Sequence, residues 1–310
     1  MKILVTGGHG FIGGHVIDRL LEDGHQILLF DRADHFHPLE ALKAGTEFFL
    51  GDIRDAEAVT EAMAHSDGWI HLAGVLGTQE TIDNPRPAAY TNLMGGLNVL
   101  EGAAQYNLPG VNIAVGNYWE NNTYSITKST LERFIDMFNR YRGQQFTIVR
   151  ALNAYGPRQS VAVPYGSSKV RKIMPSFVCR AIKNDPIEVY SSPEHGSSIM
   201  DMIYVSDVAD ILVEALYYTM EHGAVKEPLS AGTGRRMSVD EIAQAVINEV
   251  GQGEITHLPM RRGETPGAVV LGDPSTLKLI GYNPDRLTRL ETGLVRTVAY
   301  FRKYLDDTGY

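Results

Sequence analysis

The sequence predicts an α/β chain built on a doubly wound parallel sheet, with a smaller C-terminal region. Three features lead there. The first half alternates short apolar runs with longer helical patterns, the runs are apolar on both faces, and a glycine-rich turn joins the first run to the first helix. Continuous apolar strands separated by helices imply a parallel sheet covered on both sides.

The elements follow in order. "KILVTG", "QILLFD", "EFFLGD", "GWIHLAG", "VNIAVG" and "FTIVRAL" are six candidate strands, each too apolar to have one wet face. Between them, segments 11–23, 55–65, 87–107 and 121–142 repeat apolar residues at i, i+3 and i+4, the spacing of an amphipathic helix. In "NLMGGLNVLEGAAQY" the glycines read as close packing against a neighbour rather than as a helix break. Past residue 155 the rhythm changes. "YGPRQSVAVPYGSSK" reads as a long loop, and such loops in compact domains usually serve function or move. Helical patterns at 171–184, 206–221, 238–250, 274–280 and 291–306 then alternate with brief strands near 187–190, 200–204 and 255–258. The expected division is a dinucleotide-binding domain over 1–155, to which segments such as 200–222 return, and a mainly substrate-binding region over 156–310.

At 310 residues the chain is long enough for one sizeable core or two packed domains, and 44% hydrophobic with 21% charged residues is ordinary for a soluble globular protein. A formal net charge of -9 argues against a nucleic-acid partner. Basic clusters at 169–172, 234–237 and 260–264 read as solvated surface or as contacts to a ligand phosphate. The single cysteine, Cys179, excludes an internal disulfide and a cysteine-built metal site, and fits a reducing, cytoplasmic setting. The chain opens directly on a strand, which leaves no room for a signal peptide. No apolar run approaches the roughly 20 residues a membrane helix needs. His9 lies in the glycine turn and His35 and His37 follow the second strand; no His-x3-His with an acid occurs, so no metal site is expected.

"TGGHGFIGG" places Gly7, Gly10 and Gly13 three apart between strand and helix, with Phe11 and Ile12 opening the helix. Such a turn lets backbone approach a pyrophosphate while the helix N-terminus supplies unpaired N–H donors and partial positive charge, the arrangement of a Rossmann-type fold. Asp31 ends the second strand at about the acid position expected some 20 residues on. Its carboxylate would bind the adenosine ribose and repel a 2′-phosphate, favouring NAD over NADP, although neighbouring Arg32 could attract that phosphate. Asp52 and Ile53 in "GDIRD" are expected to face the adenine, Leu72, Ala73 and Gly74 in "HLAG" to pass beneath the cofactor, and Asn92 to add a further cofactor contact.

Tyr124 and Lys128 in "YSITK" stand four apart, which on a helix places a phenol beside an ammonium. A phenol must fall by about three pKa units, roughly 4 kcal/mol, to act as a base at neutral pH. Lys128 and a positive nicotinamide ring are two cations able to bring it down, and the lysine would also hold the nicotinamide ribose. The preceding strand, "VNIAVGN", carries no hydroxyl to complete such a site. Asn117 can donate to a sugar oxygen but cannot relay a proton as an alcohol does. Thr123 and Ser125 flank Tyr124, but helix neighbours point about 100° apart and seldom reach the same atom. Glu120 could abstract a proton from a carbon beside a ketone, or could be an exposed first-turn acid favoured by the helix dipole.

With "NLMGGLNVLEGA", "VRALNAYGPRQ", "MDMIYVSDVADIL", "RRGE" and "GYNP" following in order, the chain resembles an extended short-chain dehydrogenase/reductase of the NAD-dependent epimerase/dehydratase family. The resemblance implies a nucleotide-diphosphate sugar between the two regions, with Asn153 near the diphosphate and Arg262 gripping a phosphate. It also implies homodimers packed through helices that include 87–107 and 121–142. The chain departs from the family pattern in places. "VGNYW" replaces the hydroxyl-bearing strand end, as though a loop had been deleted. Met200-Asp201 replaces an arginine-aspartate pair, so Lys169, Arg171 or Lys172 would have to compensate. Thr78 and Gln79 fill the loop after the fourth strand, where substrate contacts are common. The expected activity is nucleotide-sugar epimerisation through a transient keto-sugar, with Tyr124, Lys128, Asn117 and Glu120 as catalytic residues. A dehydratase of the same family, a plain NAD(P)H reductase and a non-catalytic NAD-binding regulator stay open. The missing hydroxyl speaks for the regulator, and the retained Tyr124 and Lys128 speak against it.

Overall fold

The computed structural model describes residues 1–32 and 43–310, so His35 and His37 lie outside the described residues. The first half runs β1 (Lys2–Thr6), α1 (Phe11–Glu22), β2 (Gln26–Asp31), β3 (Thr46–Leu50), α2 (Ala56–Ala64), β4 (Gly68–His71), α3 (Arg86–Ala88), a π-helical turn (Ala89–Gly95), α4 (Gly96–Gln105), β5 (Gly110–Val115), α5 (Thr123–Arg142) and β6 (Phe146–Ala151). The second half runs β7 (Asn153–Tyr155), α6 (Ile173–Lys183), β8 (Ile187–Ser192), β9 (Gly196–Ser197), β10 (Ile199–Met200), β11 (Met202–Tyr204), α7 (Val205–His222), β12 (Leu229–Ala231), β13 (Met237–Ser238), α8 (Val239–Val250), β14 (Ile255–Pro259), β15 (Val269–Val270), two 3-10 helices (Pro274–Ile280, Pro284–Arg286) and α9 (Leu290–Thr308).

All six expected strands form, and a seventh joins them. The central sheet is parallel throughout, in the order β12-β6-β5-β4-β1-β2-β3. Chain order reverses between β1 and β4, and crevices outside the carboxyl ends of strands at such a reversal are where α/β sheets take ligands. Side chains alternate across the sheet. Ile3, Val5, Ile27, Leu29, Ile70, Val111 and Val149 pack with α1 and α7 on one face, while Leu4, Leu28, Phe30, Trp69 and Phe146 pack with α2, α4 and α5 on the other. The expectation of no wet face fails for the edge strand β3, where Leu50 is 61% exposed, because among the described residues β3 has a neighbour on one side only.

The expected helix over 87–107 is interrupted by the π turn. Its glycines do pack closely: a Cβ on Gly95 would lie 2.7 Å from Ile53 Cγ1, and one on Gly96 would lie 2.5 Å from Leu131 Cδ2. A second core gathers Tyr155, Phe177, Val178, Val189, Tyr204, Ile242, Val298 and Phe301 from α6, α8, α9 and the small strand pairs. No described helix is long and apolar enough to cross a membrane.

Candidate active site

The glycine turn lies against the end of β4. A Cβ on Gly7, whose φ is +71°, would sit 2.7 Å from the Ala73 nitrogen, and one on Gly13 would sit 2.7 Å from Gly8 Cα and closer still to the Gly7 carbonyl oxygen. Gly10 precedes the first turn of α1 with no side-chain cap. The turn is therefore bare backbone presenting the N-terminus of a twelve-residue helix, a donor set that fits a pyrophosphate. Asp31 sits beside it: Oδ2 accepts from His9 N at 3.0 Å and Oδ1 from Arg32 N at 2.8 Å. Leu72 and Ala73 hang from the Thr6 hydroxyl at 3.3 and 3.4 Å, and Gly74 follows as floor. These residues fit a dinucleotide with an unphosphorylated ribose.

Some expectations need correcting. Ile53 is 4% exposed and packs its side chain into the core, with its carbonyl accepting from Asn98 Nδ2 at 2.9 Å, so the side chain does not face an adenine. Asp52 stays at the surface, where Arg54 holds its carboxyl below the usual range and Arg32 stands 3.8 Å away. Asn92 is fully buried. Its Oδ1 accepts from Val75 N at 2.7 Å and its Nδ2 donates to Val75 O at 3.0 Å and Thr127 Oγ1 at 3.2 Å, so it fastens the floor to α5 and presents no surface to a cofactor. Ile12 packs toward the core and Phe11 sets its ring edge-on to His15. The His9 ring tucks against Phe48, its side chain 1% exposed.

Asn122 caps α5 by accepting from Ser125 N, which starts the helix in time to place Tyr124 in its first turn. Lys128 follows one turn later, 2% exposed, donating to the Ile113 carbonyl at 3.2 Å. Its Nζ would lie 3.6 Å from a Cβ on Gly74, so it reaches the cofactor floor. Burial brings the Lys128 ammonium down to about 8 and pushes the half-buried Tyr124 phenol up to about 12. Desolvation alone drives that rise, so without the cofactor's positive charge the phenol keeps its proton. The Tyr124 hydroxyl has no hydrogen-bond partner among the described residues.

Glu120 precedes the helix and is half-buried, which corrects the picture of an exposed first-turn acid. Its Oε2 accepts from Asn117 Nδ2 at 2.7 Å and from Asn122 Nδ2 at 3.0 Å. Burial raises its pKa against those two bonds, with the charge of Glu264 adding to the rise. Asn117 therefore spends a donor on Glu120.

On the substrate side the expected residues scatter. Arg171 donates to Glu188, Ser176 and Tyr190, so its guanidinium braces the C-terminal region. Lys169 is exposed. Asn153 turns its amide onto the Asp201 carbonyl at 3.1 Å, and Thr78 lies half-buried in its loop. Arg262 pairs with Asp83 at 2.9 Å, and Gln79 donates to the Arg262 carbonyl at 3.1 Å, so the loop after β4 reaches the 261–264 segment. Asp201 is fully buried, accepting from the Thr233, Gly234 and Gly272 backbone, which accounts for an acid at that place without a ligand. Arg261 was not singled out from the sequence: it pairs with Glu264 and stands 4.9 Å from the Tyr190 ring centroid. Its Glu264 partner is three residues on, but Tyr190 meets it only through the fold. Among the described residues no acidic, histidine and cysteine cluster could hold a metal ion.

His71 supplies a stability test. Its Nδ1 meets Thr6 Oγ1 at 2.6 Å, and full burial, with Lys128 nearby, holds its pKa at about 3 against an ordinary 6.5. The unfolded chain therefore binds the extra proton between those values, and stability falls as pH drops through that window. A loss of about 2 kcal/mol is expected between pH 7 and pH 5. Urea unfolding at both pH values checks it, and the difference should shrink in His71→Gln.

A bare glycine cradle at the strand-order reversal, with a tyrosine and lysine one turn apart beside its floor, defines a dinucleotide-dependent enzyme of the short-chain dehydrogenase/reductase class. The chain belongs to the NAD dependent epimerase/dehydratase family, whose model matches residues 3–227, and NAD is its cofactor. It is 28% identical to a putative UDP-glucose 4-epimerase of Methanocaldococcus jannaschii, over 97% of this chain and 98% of that protein. Among solved structures it is similar to the UDP-glucose 4-epimerase of Thermotoga maritima with UDP-glucose (28% identity, TM-score 0.85, 98% and 100% of the two chains). It is likewise similar to that of Thermus thermophilus in complex with NAD (27% identity, TM-score 0.82, 97% and 99%). Relatives include nucleotide-sugar epimerases, decarboxylases and dehydratases.

Proposed function

We propose that the protein epimerises a nucleotide-diphosphate sugar through transient oxidation of one carbinol, with Tyr124 handling the proton. The observation that carries this reading is Tyr124 and Lys128 in the first turns of α5, with Lys128 buried against the cofactor floor. Gly7, Gly10, Gly13 and the α1 N-terminus hold the pyrophosphate, and Asp31 holds the adenosine ribose. NAD, when bound, takes up and returns the hydride and places a positive charge beside the phenol. Tyr124 takes the carbinol proton as the sugar becomes a ketone and gives it back when the carbinol re-forms on the opposite face. Lys128 stabilises the phenolate. Arg262, once released from Asp83, meets a substrate phosphate with Lys172, a neighbour of Glu80 and Arg261.

Incubation with UDP-glucose and a panel of nucleotide sugars tests this reading. An isomer of unchanged mass supports it, and no turnover of any sugar by NAD-loaded protein would sink it. A second reading, loss of water, is favoured by Glu120, whose half-buried carboxyl suits proton transfer at a carbon beside the ketone. Glu120→Gln keeps both asparagine bonds and is expected to slow turnover about a hundredfold. Deuterium from D2O should then enter the product of the native enzyme; an unchanged rate in the variant removes Glu120 from the mechanism.

A further inference from the structure

The face of α5 that carries Tyr124 and Lys128 continues to Glu132, one turn past the lysine and 7% exposed. Arg150 of β6 grips that carboxylate, donating from Nε to both oxygens at 3.1 and 3.2 Å and from Nη2 to Oε2 at 2.6 Å. The Tyr118 ring covers the guanidinium, its centroid 3.7 Å from the central carbon. Desolvating two charges costs several kcal/mol per ion, and apolar residues of like size often stabilise such a place as well or better. The pair is therefore a poor device for stability alone, and its position suggests another use.

We infer that Glu132, held in place by Arg150, is a positioning residue for Lys128: it is the counter-ion that keeps the buried ammonium charged at the base of the site. Among the described residues, the charged groups acting on Lys128 leave no other. On α5 itself stand Tyr124 and Glu132. β4 presents His71, β5 presents the Ile113 carbonyl, and the π turn presents the neutral amide of Asn92 beside Gly74. β6 contributes Arg150, a cation. Of these only Glu132 carries negative charge, and it opposes the burial that drags the lysine down. A buried amine without such a partner sheds its proton, and a neutral amine gives a phenolate one turn away no charge to lean on.

The inference rests on reading Tyr124 and Lys128 as the proton-handling pair, but its test needs no substrate. In the full chain with lysines labelled at 13Cε, the Lys128 resonance is identified by its loss in Lys128→Arg and titrated by NMR. Glu132→Gln is expected to lower its midpoint by about one unit or more. That variant leaves Arg150 unpaired, so the double variant Glu132→Gln/Arg150→Met, which removes both charges, is decisive. A smaller fall there upholds the inference even if the unsubstituted enzyme turns over no sugar, a failure that would belong to the catalytic reading. A double variant that titrates like the native protein overturns it, because any shift in the single variant then came from Arg150 alone. With a sugar that is turned over, the alkaline limb of kcat/KM should move down with the midpoint.

Discussion

Tyr124→Phe is expected to lower turnover at least about a thousandfold while leaving NAD bound. The substitution deletes one oxygen. The Tyr124 hydroxyl makes no hydrogen bond to any described residue, so its loss leaves no buried donor or acceptor stranded, and the phenylalanine ring fills the same half-buried place. The cradle at Gly7, Gly10 and Gly13, Asp31 at the end of β2 and Lys128 beside Gly74 are untouched. Only the proton path is cut. The pH dependence carries a sign as well. In the protein alone burial holds the phenol at about 12 and the ammonium at about 8, so at neutral pH the lysine is charged and the tyrosine is not. A positive charge beside the phenol favours its ionised form, so NAD should bring the tyrosine down toward neutrality. Activity should therefore climb with pH on the acid side as Tyr124 ionises and fall on the alkaline side as Lys128 loses its proton. Product analysis together with NAD released on denaturation checks both halves. A variant that retains most of its rate means Tyr124 is not the base; one that loses NAD as well means the residue shapes the site.

The fold was legible in the sequence to the degree that its signals are local. Five strands announce themselves because burial on both faces demands unbroken apolar runs, β3 shows such a run although it lies at the sheet edge, and the cradle announces itself because glycines there stand within a few residues of strand and helix. β12 escaped because "LSA" is three residues long and is a strand only through its pairing with β6. The α7 helix, by contrast, showed in a strong helical pattern over 206–221. The glycine turn and the Tyr124–Lys128 pair are written in local spacing, whereas contacts made by distant residues are not, for one physical reason. A basic residue reads as a phosphate ligand until its partner is known, and partners come from elsewhere in the chain: Glu188 claims Arg171. Asn92 was misread for the same reason, since Val75 and Thr127 consume its amide. Glu120 is the converse case, a residue read both as a candidate base and as a solvated helix-start acid, whose place is defined only through two asparagines.

Gly13→Ala is expected to weaken NAD binding at least about a hundredfold and to destabilise the fold by about 1–3 kcal/mol, the usual range for overpacking. The added methyl would stand 2.7 Å from Gly8 Cα and closer still to the Gly7 carbonyl oxygen. Every obstacle is backbone, so no side chain can swing aside, and α1 must back away from the turn that carries Gly7. Gly7 in turn lies against Ala73, which hangs from Thr6, so the glycine turn cannot yield toward β4 to make the room. The helix N-terminus then sits too far out to meet a pyrophosphate. Gly14→Ala is the control one residue along, because its methyl would meet only the Arg158 guanidinium, at 3.3 Å, which is the flexible end of a side chain. Calorimetric titration with NAD and thermal melts of both variants decide the matter. If Gly13→Ala binds NAD as Gly14→Ala does, close approach of α1 to the turn is not what builds the cofactor site.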